Sequence, residues 1–235
     1  INANSKYNTE IYSQFDKIAA CSEGCRQSFL NLLPQFKDKT FTVENCHNYN
    51  KIRNSAKTEN ISLPSDKLNV VTVARFGKEK GVLRAIHAVS KLEKKDLLKY
   101  YIIGDGTEFE QAKALIDELK LSENVTLLGE KENPYGYIKA ADLLLITSYS
   151  EAAPMVIGEA ACLGVPVLST ETSSSEEMIV ATGYGFVCKN SQDGITQALE
   201  EIINNQSLIK EKSSFLNSQK FSNANALKQF SELVK

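Results

Sequence analysis

The chain has 235 residues, of which 42% are hydrophobic and 24% are charged, and its formal net charge is -2. This composition is typical of a globular protein with room for one large domain or two small ones. It excludes the strongly basic field of a nucleic-acid-binding protein, and no apolar run approaches the roughly 20 residues of a membrane-spanning helix.

The five cysteines are odd in number and scattered along the chain, apart from a pair at Cys21 and Cys25. This pattern favours free thiols in a reducing compartment, so we expect a cytoplasmic protein. The first residue is Ile and not Met, which leads us to expect a trimmed or partial chain.

Residues 1–65 contain few predicted elements. The segments DKIAACS and TFTVEN predict two strands, and SEGCRQSFLNLL predicts a helix capped at Ser22. Two strands and one helix cannot bury a sheet on both faces. We therefore expect residues 1–65 to be the remnant of a preceding α/β domain, ending in a polar linker at residues 55–66.

Along residues 66–220, stretches with the apolar pattern of a strand alternate with stretches whose apolar residues recur at helical spacing. Short apolar or β-branched runs, such as NVVTVA at 69–74 and DLLLITS at 142–148, predict strands, and KGVLRAIHAVSKL at 80–92 has apolar residues at helical spacing. Strands that are apolar throughout and alternate with helices predict a parallel sheet covered on both faces. Right-handed crossovers then give an α/β fold with a doubly wound parallel sheet.

Ligands of such sheets bind in the crevice beyond the carboxyl ends of the strands. Pro154 suits the first position of the helix that follows one strand, and the free N–H groups of a helix start attract phosphate. Because Arg75 and Lys80 follow a neighbouring strand, we expect a diphosphate there. Four stretches follow the strand ends: RFGKEKG at 75–81, GDG at 104–106, GEK at 129–131 and SYSEAAP at 148–154.

Two carboxylates flank the same helix start. Glu151 lies in the loop before the helix, and Glu159 lies about one and a half turns inside it. Carboxylates accept pairs of hydroxyl hydrogens, so one could hold a transferred sugar and the other a ribose, with the diphosphate between them. In the alternative interpretation, Glu151 is a favourable charge near a helix dipole and Glu159 is a surface residue; spacing alone leaves both open.

Glu151-x7-Glu159, followed by AACLGVPVLST, resembles the E-x7-E signature of family 4 glycosyltransferases, the retaining nucleotide-sugar transferases of the GT-B fold. VTVARFGKEKGV resembles their RL-x-x-x-KG segment, and YIIGDGTEFEQAKALIDELKLSENVTLLGE the next strand–helix–strand. DKIAACSEGCRQSFL and VENCHNYNKI resemble the end of the N-terminal domain, and KFSNANALKQF the C-terminal helix. One departure is Ala152, where the family usually has glycine, and neither His47 nor His87 matches the histidine common near its reaction centre.

The resemblance implies two Rossmann-like domains with the active site between them. Residues 66–220 would be the donor-binding half of the GT-B fold, residues 221–235 the C-terminal helix, and residues 1–65 the end of the acceptor domain. Glu151, Arg75 and Lys80 would be catalytic, with no metal and no cofactor besides the nucleotide-diphosphate sugar that is the substrate. The implied donor-binding residues are Arg75, Lys80, Gly129, Glu130, Ala152, Ala153, Pro154, Met155 and Glu159.

The implied function is a retaining, hexosyltransferase-type reaction in bacterial polysaccharide or glycoconjugate synthesis. A sugar or lipid-linked acceptor would be held by the missing N-terminal domain, so this chain alone is expected to be inactive. We expect the full-length protein in the cytoplasm, associated peripherally with the inner face of the membrane, and no nucleic-acid partner.

Three alternatives remain at this point. A sugar-nucleotide epimerase of similar architecture would share the fold and the diphosphate site. A dinucleotide-dependent oxidoreductase is disfavoured, because GDGTEF has Phe109 where G-x-G-x-x-G needs a small residue. A non-catalytic nucleotide-sugar-binding module would need the same crevice but no reaction.

Overall fold

The computed structural model describes residues 5–235, with side chains described from residue 9 onward. The helices are α1 (Ser5–Ser13), α2 (Glu23–Leu32), α3 (Tyr49–Ser55), α4 (Val82–Ser90), α5 (Phe109–Glu118), α6 (Tyr135–Ala140), α7 (Met155–Cys162), α8 (Gln192–Asn204), α9 (Ser207–Ser218) and α10 (Ala224–Leu233). The strands are β1 (Ile18–Ala20), β2 (Thr40–Thr42), β3 (Leu68–Val73), β4 (Leu98–Ile103), β5 (Val125–Gly129), β6 (Leu143–Ile146), β7 (Val167–Thr170) and β8 (Gly185–Cys188). Short 3-10 turns cover Pro34–Lys39, Lys78–Lys80 and Lys95–Leu97, and a π-helical turn covers Glu176–Val180.

The main sheet has six strands in the order β5-β4-β3-β6-β7-β8, and every neighbouring pair is parallel. The predicted α/β fold with a doubly wound parallel sheet is therefore confirmed. The strand order runs outward in both directions from β3 and β6. The carboxyl ends of these two strands form the topological switch point, where such sheets bind ligands.

Each central strand contributes side chains to two hydrophobic cores, because successive side chains point to opposite faces of the sheet. Val70 packs with α4, α5 and α8 on one face, whereas Val71 packs with α6 and α7 on the other. Leu143 and Leu144 of β6 divide in the same way. Burial on both faces explains why β6 is apolar throughout and why β3 carries apolar residues on both faces, with Asn69 and Thr72 as its polar residues.

The residues before β3 form a small unit on the main domain. Strands β1 and β2 pair in parallel, and Ser22 caps α2 as predicted, accepting the N–H of Cys25 at 3.0 Å. Helix α3, which the sequence did not predict, packs against α6 and α7. The division into residues 1–65, 66–220 and 221–235 stays a prediction.

The predicted C-terminal helix is present as α10, and it returns to the segment after β2. The amide of Asn223, just before α10, accepts the N–H of His47 at 3.0 Å and donates to its carbonyl at 2.8 Å. Gln229 accepts the N–H of Glu44 at 2.8 Å. The segment after β2 and the segment that includes α10 are thus hydrogen-bonded to each other.

Gly24, in the first turn of α2, lies close to the main domain. A Cβ atom built on Gly24 would lie 1.7 Å from the carbonyl oxygen of Ser173, in the turn after β7. No side chain fits at that distance, so glycine is required for α2 to approach this turn.

We expect Gly24→Ala to destabilise the protein by about 1–3 kcal/mol, as overpacking does. Helix propensity alone would favour alanine by roughly 0.5–1 kcal/mol, so the sign of the change separates the two effects. Chemical denaturation measures it, with the exposed Ser28→Ala on the same helix as control. A gain of stability in Gly24→Ala would contradict this packing.

Candidate active site

A cavity of about 210 Å³ opens at the switch point between the ends of β3 and β6. A second cavity of about 760 Å³ continues past the ends of β4 and β5, and both share the wall formed by residues 73–75. The first is lined by Thr72, Val73, Ala74, Arg75, Lys80, Leu145, Ile146, Thr147, Ser148, Glu151, Pro154, Met155 and Val156. The structure thus brings five of the predicted site residues to one cavity.

Lys80 and Glu151 form an ion pair inside this cavity. The Nζ atom of Lys80 lies 2.7 Å from Oε1 of Glu151, and the hydroxyl of Ser148 donates to the same oxygen at 2.6 Å. The side chains are 28% and 12% exposed, so water screens this pair less than an ordinary surface pair. The pair connects the turn after β3 to the loop after β6.

The position of Lys80 is fixed by the glycine that follows it. Gly81 has a φ of +64°, and a Cβ atom there would lie 2.3 Å from the carbonyl oxygen of Thr147. The hydroxyl of Thr147 in turn donates to the carbonyl of Lys80 at 3.1 Å. The turn after β3 therefore lies directly on the end of β6, which directs Lys80 into the cavity.

Arg84 supports the other side of this junction, and sequence reasoning missed it. This guanidinium is buried on α4 and donates to the carbonyls of Thr147 and Ser148, at 2.8 Å from Nε and Nη2 respectively. It also lies 3.8 Å from the ring centre of Tyr149, a cation–π contact. Burial lowers the pKa of Arg84. The available signal was an arginine within the apolar face of a helix.

Arg75 lies at the mouth shared by both cavities. Its Nη2 atom contacts Oε1 of Glu79 at 3.0 Å, and its side chain is 75% exposed. An exposed pair of this kind contributes little to stability, so Arg75 can exchange Glu79 for an anionic ligand at low cost.

The helix start at α7 differs in one detail from the sequence prediction. Pro154 is the N-cap, with an extended ψ of 118°, and the helix begins at Met155. The sequence predicts Pro154 at the first helical position, and the structure places it one residue earlier, as the N-cap. Since the first N–H groups of a helix lack partners within it, those at Met155 and Val156 are donors beside the cavity.

Ala152 and Ala153 lie between Glu151 and the helix. Their carbonyl oxygens accept hydrogen bonds from Ser22 at 2.6 Å and from Asn45 at 3.1 Å. Within residues 5–235 the non-glycine residue with positive φ is Lys120, so the alanine at 152 occupies an ordinary backbone conformation.

Glu159 lies farther along α7, outside the residues that line the cavity. The hydroxyl of Tyr135 on α6 donates to its Oε1 at 3.3 Å. Burial raises the pKa of Glu159, and the bond from Tyr135 opposes that shift.

The larger cavity contains further polar groups. Gly129 ends β5 with a φ of +68°, and Glu130 and Lys131 beyond it line the cavity together with Asp105 and Thr107. The sequence predicts the GDG and GEK loops at this edge of the sheet, but Asp105, Thr107 and Lys131 are not among the predicted site residues.

A family model described as glycosyl transferases group 1 matches residues 54–219 of the chain. The chain belongs to this family. The resemblance recognised in E-x7-E and its flanking segments is therefore confirmed.

Curated relatives agree with this assignment. Lipopolysaccharide core biosynthesis glycosyltransferase LpsD of Rhizobium meliloti is 36% identical over 110 residues, which cover 47% of this chain and 31% of the relative. Poly(glycerol-phosphate) alpha-glucosyltransferase of Bacillus subtilis is 32% identical over 164 residues, covering 69% of this chain and 23% of the relative. The chain thus spans about a quarter to a third of the length of these relatives.

Solved structures confirm the fold. Anabaena HepE in complex with UDP and glucose has a TM-score of 0.79 at 19% identity, covering 98% of this chain and 66% of that one. A variant of S. aureus TarM in complex with fondaparinux, alpha-GlcNAc-glycerol and UDP has a TM-score of 0.76 at 20% identity, covering 97% of this chain and 45% of that one. At these identities the likeness concerns the fold alone.

Residues 5–235 contain neither a candidate metal site nor a candidate membrane-spanning helix. No group of three or more His, Cys, Asp or Glu residues in this range could hold a metal ion. No helix there is long and apolar enough to cross a membrane.

The raised pKa of Glu159 predicts that the ionised carboxylate lowers the stability of the folded protein, by an amount that depends on pH. Because the folded state binds its proton more tightly than the unfolded state, the protein loses stability as the pH rises through the folded-state pKa. We expect Glu159→Gln to raise the melting temperature at pH 7. The gain should shrink as the pH falls toward about 4, where the unfolded-state carboxyl also becomes protonated.

The control for this prediction is Glu211→Gln, which changes an exposed carboxylate on α9. It should leave the melting temperature nearly unchanged across the same pH range. A melting temperature for Glu159→Gln that is lower than wild type at pH 7 would contradict a desolvation cost at this position.

Proposed function

We propose that this chain is the donor-binding part of a glycosyltransferase that moves a sugar from a nucleotide-diphosphate sugar to an acceptor in bacterial polysaccharide or glycoconjugate synthesis. The observation that carries the proposal is the Lys80–Glu151 pair, placed beside the start of α7 at the switch point of the sheet. Family membership favours this function over an epimerase or an oxidoreductase.

The cations and the helix start serve the diphosphate. Lys80 and Arg75 line one cavity with the first residues of α7, so positive charge approaches a bound diphosphate from two sides. As the bond to the sugar breaks, negative charge grows on the leaving diphosphate, and these groups stabilise it. A half-buried cation is effective here because less water screens it.

Glu151 serves the transferred sugar. Glu151 is paired with Lys80, and a bound diphosphate would replace it as the partner of that cation. The carboxylate is then free to accept sugar hydroxyls and to support positive charge at the anomeric carbon. Ser148, which donates to Glu151 at 2.6 Å, keeps the carboxylate in place during this exchange.

Glu159 serves the ribose of the nucleotide. Its carboxylate is held by Tyr135 and costs stability when no ligand is present. Two ribose hydroxyls would supply the hydrogen bonds that offset its desolvation. Gly129 and Glu130, with the larger cavity, would adjoin the nucleoside.

The donor base is suggested by structural neighbours. HepE has been solved with UDP-glucose and TarM with UDP, so uridine nucleotides are the first probes for this chain. We also propose that the reaction retains the configuration of the sugar by same-face attack, and that the acceptor is a sugar or a lipid-linked molecule. A longer protein that contains this chain would associate peripherally with the membrane.

We further propose that this chain alone binds the donor but transfers sugar poorly. The strands before β3 form a sheet of two, too small to enclose the crevice from the acceptor side. Loss of orientation alone can remove several of the roughly 7–11 kcal/mol that proximity supplies. Equal transfer rates for this chain and for a longer protein that contains it would contradict this.

Replacing either cation should weaken nucleotide binding. Lys80→Met and Arg75→Met each remove a charged hydrogen bond of about 1.5–3 kcal/mol, so we expect the Kd for UDP to rise about 10- to 100-fold in calorimetry. Lys78→Met is the matched control, because Lys78 belongs to the same turn but lines a different cavity, with Arg84 and Tyr149. A Kd that is unchanged in both test variants would contradict the diphosphate site.

Replacing the two carboxylates should have different effects on UDP binding and on turnover of a nucleotide sugar. Glu159→Gln should weaken binding of UDP, since it removes a ribose contact. Glu151→Gln should leave UDP binding unchanged or tighten it, because Lys80 loses a competing partner, yet it should lower turnover of a nucleotide sugar in a longer protein. Equal loss of UDP affinity in both variants would overturn this division of roles.

A further inference from the structure

The loop that carries Glu151 is held by side chains that lie outside the cavity. We define the donor loop as residues 151–154. Three consecutive carbonyl oxygens of this loop accept side-chain hydrogen bonds: Glu151 from the hydroxyl of Ser173 at 2.9 Å, Ala152 from the hydroxyl of Ser22 at 2.6 Å, and Ala153 from the amide of Asn45 at 3.1 Å.

The alanine side chains of the donor loop can neither donate nor accept a hydrogen bond. Ala152 and Ala153 have no polar side-chain atom, so side-chain hydrogen bonds that fix this part of the loop must come from elsewhere. Two of the three donors, Ser22 and Asn45, come from the residues before β3, more than 100 positions away in the sequence.

Ser22 is itself fixed in orientation. Its hydroxyl oxygen accepts the N–H of Cys25 as the N-cap of α2, so its hydrogen is directed to the carbonyl of Ala152. The start of α2 is anchored to the main domain, because the carboxylate of Glu177 accepts the N–H groups of Glu23 and Gly24 at 2.9 and 3.3 Å.

Asn45 is fixed from both sides of the chain. Glu44 before it is bonded to Gln229 of α10, and His47 after it is bonded twice to Asn223. The amide of Asn45 therefore reaches Ala153 from a backbone that α10 holds in place.

Holding a carbonyl also holds the next N–H, because the peptide unit is planar and the two groups point in opposite directions. The bonds to Glu151 and Ala152 thus set the N–H directions of Ala152 and Ala153, and the bond to Ala153 sets the peptide that leads into Pro154. Together they fix Glu151 relative to the start of α7.

We infer that Ser22, Asn45 and Ser173 are positioning residues for donor binding. They hold the donor loop in the conformation that places Glu151 on Lys80 and the free N–H groups of α7 at the diphosphate. The inference rests on the proposed function. It assigns to the residues before β3 a role in preorganising the nucleotide-sugar site without contacting the donor.

The test uses variants that keep an acceptor oxygen but cannot donate the hydrogen bond. Asn45→Asp keeps the shape of the side chain but cannot donate to Ala153, and Ser22→Asp keeps an acceptor for the N-cap but cannot donate to Ala152. Ser22→Thr keeps both functions and should restore wild-type behaviour. Asn204→Asp and Ser28→Ala, exposed positions on α8 and α2, are the matched controls.

Two measurements are made on each variant. Amide hydrogen exchange without nucleotide should become about three- to tenfold faster in peptides that cover residues 150–157, as expected for the loss of a neutral hydrogen bond. The Kd for UDP-glucose should rise by a similar factor, while Ser22→Thr and the two controls match wild type.

The outcomes separate this inference from the proposed function. Unchanged exchange in both Asp variants overturns the inference, and so does faster exchange with an unchanged Kd. A wild-type chain that binds none of a panel of nucleotide sugars contradicts the proposed function and removes the positioning role with it. The exchange measurement, which needs no ligand, then shows separately whether Ser22 and Asn45 hold the loop.

Discussion

The ion pair between Lys80 and Glu151 is the interaction on which the geometry of the site depends. It joins the turn after β3 to the loop after β6, the two strand ends that define the switch point. Each partner is placed by backbone contacts that leave little freedom. Gly81 lies against the end of β6 on one side, and Arg84 holds the carbonyls that precede Glu151 on the other.

The same pair explains how a site can be formed before its ligand arrives. A half-buried cation without a partner would be costly, and Glu151 supplies that partner in the free protein. Replacing one anion by another conserves the charge balance around Lys80, so binding needs no large rearrangement. Glu159 follows a different rule: it lies half-buried beside Tyr135, and we expect its ionised form to destabilise the protein, as functional groups often do.

The fold was predictable because it depends on local patterns. Strands apolar on both faces, such as β3 and β6, occur where helices cover a parallel sheet, and their spacing predicted the order of the strands and of most helices from residue 66 to residue 205. Helices α1, α3 and α9 and the π-helical turn at Glu176–Val180 were not predicted, since their sequences are short or polar and depend on tertiary packing.

The site was predictable only where motif and topology coincide. Lys80, Glu151 and the start of α7 follow adjacent strand ends, so their proximity follows from the fold. Contacts between residues far apart in sequence, such as that of Asn45 with the donor loop, have no local signature. The role of Arg84 could not be predicted for a related reason. An arginine within a helix is usually solvated, and the carbonyl partners of Arg84 follow another strand.

The most direct test of the account is a crystal structure of this chain with the nucleotide sugar that binds it most tightly. The account predicts the diphosphate within about 3 Å of the Nζ atom of Lys80 and of the N–H groups at the start of α7, with Glu151 released from Lys80 and bonded to sugar hydroxyls. A diphosphate bound in the neighbouring cavity between Lys78 and Tyr149, with the Lys80–Glu151 pair intact, would contradict it.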